Sequence, residues 1–211
     1  MFMTDTPAIK QPPTLSAAVV LHHSPLEQLH GLLVSLDKSA RALGVRIPLY
    51  LIDQSQSAAY SEAVQTMTRE VATITSLQLQ YIARGRNDGY GAGHNTVLDK
   101  AAGDYHLILN PDVELPENAL VQFIRNLTDH PEVALLAPRG ANEIGEEEHL
   151  AKRYPSVLIL MLRALGSQTL KRLFAKRLAD YELQDLPFEG GFQDVPLLSG
   201  CCMIARSDAL R

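Results

Sequence analysis

The sequence predicts an α/β fold with a mostly parallel central sheet covered by helices on both faces, and three observations carry that prediction. Short apolar runs alternate with helical stretches as far as residue 137. The runs contain β-branched residues and stay within strand length, as buried strands do. Polar, glycine-rich or proline-fixed segments follow them, where such sheets take their ligands. With 211 residues, of which 46% are hydrophobic and 20% charged, the chain can build one sizeable core, and one compact domain is expected.

Residues 1 to 15, with Pro7, Pro12 and Pro13, read as a mobile tail, leaving 16 to 211 as the folded domain. Ala17 to Leu21 reads as the first strand. Ser24, Pro25 and Glu27 then give a helix start, with Ser24 as N-cap, Pro25 at the first helical position and Glu27 reaching back as in a capping box. Leucines 26, 29, 33 and 36 share one face of that helix. Strands follow at 47–52, 77–82, 105–109 and 133–137, and helices at 57–71, 92–102 and 116–129. A last apolar strand spans Val195 to Ile204 and buries at least one of Cys201 and Cys202. Two adjacent cysteines do not bridge without strain, so the chain reads as reduced.

The formal net charge of −5 argues against a nucleic-acid binder, which needs a basic excess to neutralise phosphates. A nucleotide partner would be a small ligand. No apolar stretch reaches the ~18 residues of a membrane-spanning helix. The expected location is cytoplasmic, with peripheral contact at the inner face of a membrane as the further option.

Three segments could carry chemistry. Asp53, at the end of the second strand, could accept hydrogen bonds from a base or ribose, and equally could be a turn or cap residue. The segment Asn87-Asp88-Gly89-Tyr90-Gly91-Ala92-Gly93-His94-Asn95 sets three glycines at alternate positions before a helix, which lets backbone approach a ligand and offers N–H groups to phosphate. Its spacing is neither the dinucleotide fingerprint nor a P-loop. His94 within it is as readily a solvated or core-capping histidine as a ligand contact. Finally, Asn110-Pro111-Asp112 ends an apolar strand in a rigid polar turn. Asp112 there could hold Mg²⁺ or Mn²⁺, ions that bind through one or two carboxylates plus substrate phosphates, and read in isolation it could equally be a turn former.

Taken in order, Asp53, the Asn87 to Asn95 glycine segment, Asn110-Pro111-Asp112 and Ser199 to Arg206 resemble family 2 glycosyltransferases of the rhamnosyltransferase type, over residues 16 to 211. The resemblance implies a GT-A-like, Rossmann-type sandwich. It also implies inverting transfer of a sugar, L-rhamnose from dTDP-rhamnose with UDP-sugars as the alternative donors, to a saccharide or lipid-linked saccharide in surface polysaccharide synthesis. By the same resemblance Asp53 contacts the base, and Asn87, Gly89, Tyr90, Gly91, Gly93 and Asn95 line the nucleotide pocket. Asn110 and Asp112 stand for the D-x-D motif, with Asp112 as metal ligand. His22, where the family has a Thr-Tyr-Asn-like strand end, is a candidate nucleotide contact.

The family's catalytic base follows a segment beyond the Ser-Gly stretch, so the resemblance places it after Arg211 and the domain reads as cut before its acceptor segment. Asp194 lies on the wrong side of Ser199 to replace it. His22 and His23 do not make a zinc site, because neighbours in an extended segment point apart. Two rivals remain: a nucleotide-sugar-binding module without catalysis, and a sugar-phosphate nucleotidyltransferase, which would carry a basic glycine-rich signature after the first strand. NAD chemistry fails on the glycine spacing.

Residues 151 to 180 carry Lys152, Arg153, Arg163, Lys171, Arg172, Lys176 and Arg177 against Asp180, which is +6 in a chain of −5. They read either as an interfacial element facing anionic headgroups or a lipid-pyrophosphate acceptor, or as ordinary surface helix.

Overall fold

The computed structural model describes residues 12–72, 76–101, 103–142, 144–184 and 193–210. Strands β1 (Leu15–Leu21), β2 (Ile47–Asp53), β3 (Leu77–Ala83) and β4 (Tyr105–Leu109) alternate with helices α1 (Leu26–Leu43), α2 (Ala58–Ala72) and α3 (Tyr90–Asn95). Helix α4 (Ala119–Asp129) and the short β5 (Leu135–Leu136) follow. After β6 (Gly140–Ala141), β7 (Glu147–Glu148) and β8 (Ala151–Lys152) come α5 (Val157–Leu165), α6 (Gln168–Leu173) and α7 (Ala175–Tyr181). The chain ends through β9 (Leu197–Leu198) and β10 (Cys202–Arg206).

The central sheet has six strands in the order β3-β2-β1-β4-β10-β5. β3, β2, β1 and β4 run parallel, while β10 is antiparallel to both β4 and β5. Every residue of β1 is buried, as a central strand covered on both faces requires. The strand order reverses between β1 and β4, and ligands of such sheets bind beyond the carboxyl ends at that point. One face of the sheet, with Ala18, Val20, Tyr50 and Ile52, packs on Val97 and Ile82. The leucines of α1 that are fully buried, Leu29, Leu32, Leu33 and Leu36, recur at helical spacing, and α1 touches α2 and α4.

Several expectations change. β1 begins at Leu15, two residues early, because Thr14 is tied to Asp104 through its backbone N–H and its hydroxyl, both at 2.8 Å from the carboxylate. The tail expected over 1 to 15 thus gives up Thr14 and Leu15 to the fold, and residues 1 to 11 lie outside the described residues. Ser24 makes no cap. Pro25 occupies that position with φ −55° and ψ 130°, no side chain caps the helix, and the Ser24 carbonyl instead accepts from the Tyr60 hydroxyl at 2.9 Å. Helix 92–102 is replaced by the six-residue α3 and a 3₁₀ turn at Leu98–Lys100.

The single domain expected divides into two compact units, one of the described residues up to Leu136 with Cys202 onward, the other Ala137–Cys201. The apolar run Val195 to Ile204 is accordingly two strands: β9 pairs with β8 in the second unit, and β10 enters the main sheet. Cys202 is buried in β10 and Cys201 is half-buried.

Candidate functional site

At the carboxyl ends of β1, β2 and β3, four residues close a ring of hydrogen bonds. His22 places Nδ1 3.2 Å from the Gln54 carbonyl oxygen, and the Asn87 amide lies 3.4 Å from His22 Nε2. Asn87 Oδ1 accepts from the Gly89 N–H at 3.0 Å, and the Gln54 amide donates to the Gly89 carbonyl at 3.2 Å. This pattern suits the His22 tautomer with its proton on Nδ1. The ring thus spans three parallel strands and fixes the loop that opens the glycine-rich segment.

The glycines differ in what requires them. Gly89 has φ +88°, a backbone conformation that L side chains rarely adopt. A Cβ on Gly93 would lie 2.6 Å from Val20 Cγ2 and 2.8 Å from Gln54 Nε2, so this glycine lets α3 sit directly on the sheet. Gly91 faces open space, and Asn95 is exposed. With only six residues, α3 offers little of the aligned dipole a longer helix would bring to phosphate. Tyr90, half-exposed, meets the His94 ring edge-on with centroids 4.5 Å apart.

His94 is buried, 4% exposed, and neither ring nitrogen has a hydrogen-bond partner. On β4, His106 is fully buried, with Nδ1 2.8 Å from Ser16 Oγ and Nε2 unpartnered. Burial pulls the pKa of each ring down to about 4, and His106 adds to the effect on His94. Both rings therefore stay neutral at neutral pH. His94 is a core residue beneath the site.

Asp53 is 3% exposed and points to the other face, toward α2 and β3. Its carboxylate accepts from the Ser55 N–H at 2.8 Å, the Ser61 hydroxyl at 2.7 Å and the Tyr81 hydroxyl at 2.5 Å. Burial pushes its pKa up, but the bonds from Tyr81, Ser61 and Ser55 outweigh that and hold it below the usual carboxylate value. Burial and the bond to Asp53 in turn push the Tyr81 phenol up to about 12. These are the contacts of the turn-and-cap reading, and a base contact would have to use the remaining acceptor capacity of Oδ1.

Val19 pairs with Leu109, so Asn110, Pro111 and Asp112 leave the sheet beside the end of β1. Asn110 is half-buried and Asp112 exposed. Among the described residues no group of three or more His, Cys, Asp or Glu could hold a metal. A single carboxylate with a neighbouring amide oxygen fits a hard cation that draws its remaining oxygens from water and substrate phosphates, as Mg²⁺ and Mn²⁺ do. It does not fit zinc, which takes three or four nitrogen and sulfur ligands from the protein.

Three contributors escaped the sequence reading. Gln54, 1% exposed, joins β2 to the glycine segment, and its signal was its place directly after Asp53, where the next side chain turns to the opposite face. Arg84 and Arg86 both donate to Asp88, at 2.8 and 2.7 Å, bracing the same loop.

A mostly parallel sheet with its polar strand ends gathered at the order reversal defines a doubly wound α/β domain. The chain belongs, more closely, to glycosyl transferase family 2, whose family profile matches residues 49–210. Among solved structures it is similar to the mannosyltransferase PcManGT of Pyrobaculum calidifontis, solved with GDP-Man and Mn²⁺, at 18% identity and TM-score 0.52 over 63% of this chain and 37% of that one. It is also similar to S. aureus TarS residues 1–349, at 17% identity and TM-score 0.47 over 67% of this chain and 41% of that one. The first likeness supports the GT-A fold. The chain spans about two fifths of the length of these structures. No curated protein matches the sequence at a significant level.

Proposed function

We propose that the first unit binds the nucleoside-diphosphate part of a sugar donor for glycosyl transfer, at the carboxyl ends of β1, β2, β3 and β4. The observation that carries this reading is the closed ring of His22, Gln54, Asn87 and Gly89. It orders three strand ends and a glycine loop before any ligand arrives, so that little ordering remains to be done on binding. In this reading Tyr90, Gly91, Asn95 and the His22 edge border the nucleotide, while Gly93 allows the close approach of α3 to the sheet. Asp53 braces the end of β2 through Ser55, Ser61 and Tyr81 and has only the remaining acceptor capacity of Oδ1 for the base.

Asp112, with Asn110 beside it, would hold Mg²⁺ or Mn²⁺. When bound, the cation would offset the negative charge growing on the diphosphate leaving group. The donor is dTDP-rhamnose or a UDP-sugar, and the acceptor a saccharide, lipid-linked in surface polysaccharide synthesis. A lipid-linked acceptor would bring the chain to a membrane surface through residues 151 to 180.

Calorimetric titration with dTDP, UDP, GDP and NAD, each with and without Mn²⁺, tests the reading when repeated on Asp112→Ala. Metal-dependent binding of dTDP or UDP, lost in the variant, is the expected result. Binding of NAD alone, or of no nucleotide by folded protein, would overturn it.

A further inference from the structure

Helix α5 has two apolar faces, and among the described residues only one of them is packed. Ile159 and Leu162, 5% and 3% exposed, pack with Tyr181 and with Leu158, Leu170, Phe174 and Leu178 of the same unit. On the other face Val157, Leu160, Met161 and Leu165 are 74%, 52%, 55% and 62% exposed. Their spacing puts them on one stripe. The helix is well bounded: the Ser156 hydroxyl accepts from the Ile159 N–H at 3.3 Å, and Gly166 ends it in the left-handed conformation with φ 64°. The stripe is therefore a fixed surface. Tyr154 and Leu173, each 75% exposed, lie on either side of it in sequence.

The charge of this segment names the occupant. Seven cations against one anion fall within residues 151 to 180, while the chain as a whole carries −5. Arg163 reaches the Tyr181 hydroxyl at 2.9 Å and Arg153 reaches Asp180 at 2.9 Å, so these two are partly engaged. Arg172, Lys176 and Arg177 on α6 and α7 are exposed, with Lys171 half-buried. A second copy docking through the same stripe would bring like charge to like charge, because a two-fold interface sets each patch against itself. An anionic bilayer offers both apolar depth for the stripe and phosphate charge for the cations.

We infer that α5 is a membrane-contact helix, seating Val157, Leu160, Met161 and Leu165 in the headgroup boundary of an anionic lipid surface while α6 and α7 supply the cations. This deepens, and rests on, the reading of residues 151 to 180 as a peripheral element, and it can fail while donor binding stands. The chain should sediment with vesicles of phosphatidylcholine mixed with phosphatidylglycerol, not with phosphatidylcholine alone, and binding should weaken as salt screens the charge.

Two variants keep the test decisive, both at surface positions and both checked for folding by circular dichroism. Leu160→Glu with Met161→Glu removes the apolar contact, and Lys171→Glu, Arg172→Glu, Lys176→Glu and Arg177→Glu together remove the charge. Each should weaken vesicle binding by about tenfold or more. Failure of the folded wild-type chain to bind anionic vesicles, equal binding to neutral ones, or unchanged binding by both variants would overturn the inference. So would a dimer on gel filtration that Leu160→Glu dissociates in the absence of any vesicle binding. Nucleotide titration of the same preparations shows separately whether the donor site stands.

Discussion

The side-chain amide of Gln54 donates to the Gly89 carbonyl oxygen at 3.2 Å, and the same amide nitrogen would stand only 2.8 Å from a Cβ on Gly93. One buried side chain thus sets both the entry and the depth of the glycine-rich segment. Gln54→Leu removes the donor and should weaken nucleotide binding by about two- to tenfold, the worth of one ordinary hydrogen bond. The check is the dissociation constant from calorimetry, with thermal stability measured alongside.

Gly93→Ala and Gly91→Ala form a contrasting pair. The first forces a Cβ to 2.6 Å from Val20 and should cost about 1–3 kcal/mol, with donor binding lost as α3 lifts. The second meets nothing within 4 Å in the same helix and should be neutral, or stabilising by up to about 1 kcal/mol. Urea unfolding of the two variants separates them. Equal destabilisation would show that α3 does not sit on the sheet as described.

Asp53→Asn tests the carboxylate that three donors share. Because hydrogen bonds hold the folded Asp53 pKa below its ordinary value of 3.8, its contribution is present at neutral pH and is lost as pH falls through that range. The variant should therefore be less stable than wild type at pH 7, with the difference closing in strong acid. The Tyr81 phenol, pushed up to about 12, should titrate lower without the carboxylate. Ultraviolet titration of phenolate formation reads that shift.

His94 and His106 set a second acid limit. In the fold burial holds both rings at about 4 against an ordinary value of 6.5, so the unfolded chain takes up protons that the fold excludes. Stability should fall as pH drops from about 6.5 and stop falling on this account below about 4. His94→Leu should flatten that slope by roughly half, since one of two proton uptakes is removed. Denaturant midpoints taken through this window decide it, and an unchanged slope would show that His94 is not buried neutral.

Asn110→Asp supplies the second carboxylate of a D-x-D turn. Mn²⁺ binding in the presence of a nucleoside diphosphate should tighten, because hard cations gain from each added carboxylate. Tightening that also appears with Asp112→Ala in the background would move the cation away from Asp112.

The parallel half of the sheet was legible because its strands are short, mostly apolar segments set between helical or turn-forming stretches; Ile47–Asp53, Leu77–Ala83 and Tyr105–Leu109 fall where the sequence places them to within a residue. Patterns failed where an element is too short to show a period. β9 has two residues, and nothing in the apolar run from Val195 to Ile204 announces that it divides between two units. His106 read as part of an apolar strand, and it is buried like one, but its partner Ser16 lies 90 residues away and only the strand register brings the two together. Asp53 shows the reverse limit. Its position was legible, while the choice between base contact and cap depended on Ser61 and Tyr81, which no local pattern links to it.

Leu136 pairs with Ile204 in the main sheet, so the chain leaves and re-enters that sheet at neighbouring strands. Strands that adjacent lie about 5 Å apart, a gap that a turn of a few residues can bridge. Everything from Ala137 to Cys201 is then a detour hung on a hairpin. Its length can grow or shrink at small entropic cost, since closing a loop becomes only slowly more expensive with size. Substitution within the detour is thereby released from the register of the six strands, and descendants of this chain can exchange what the detour touches while inheriting the strand ends unchanged.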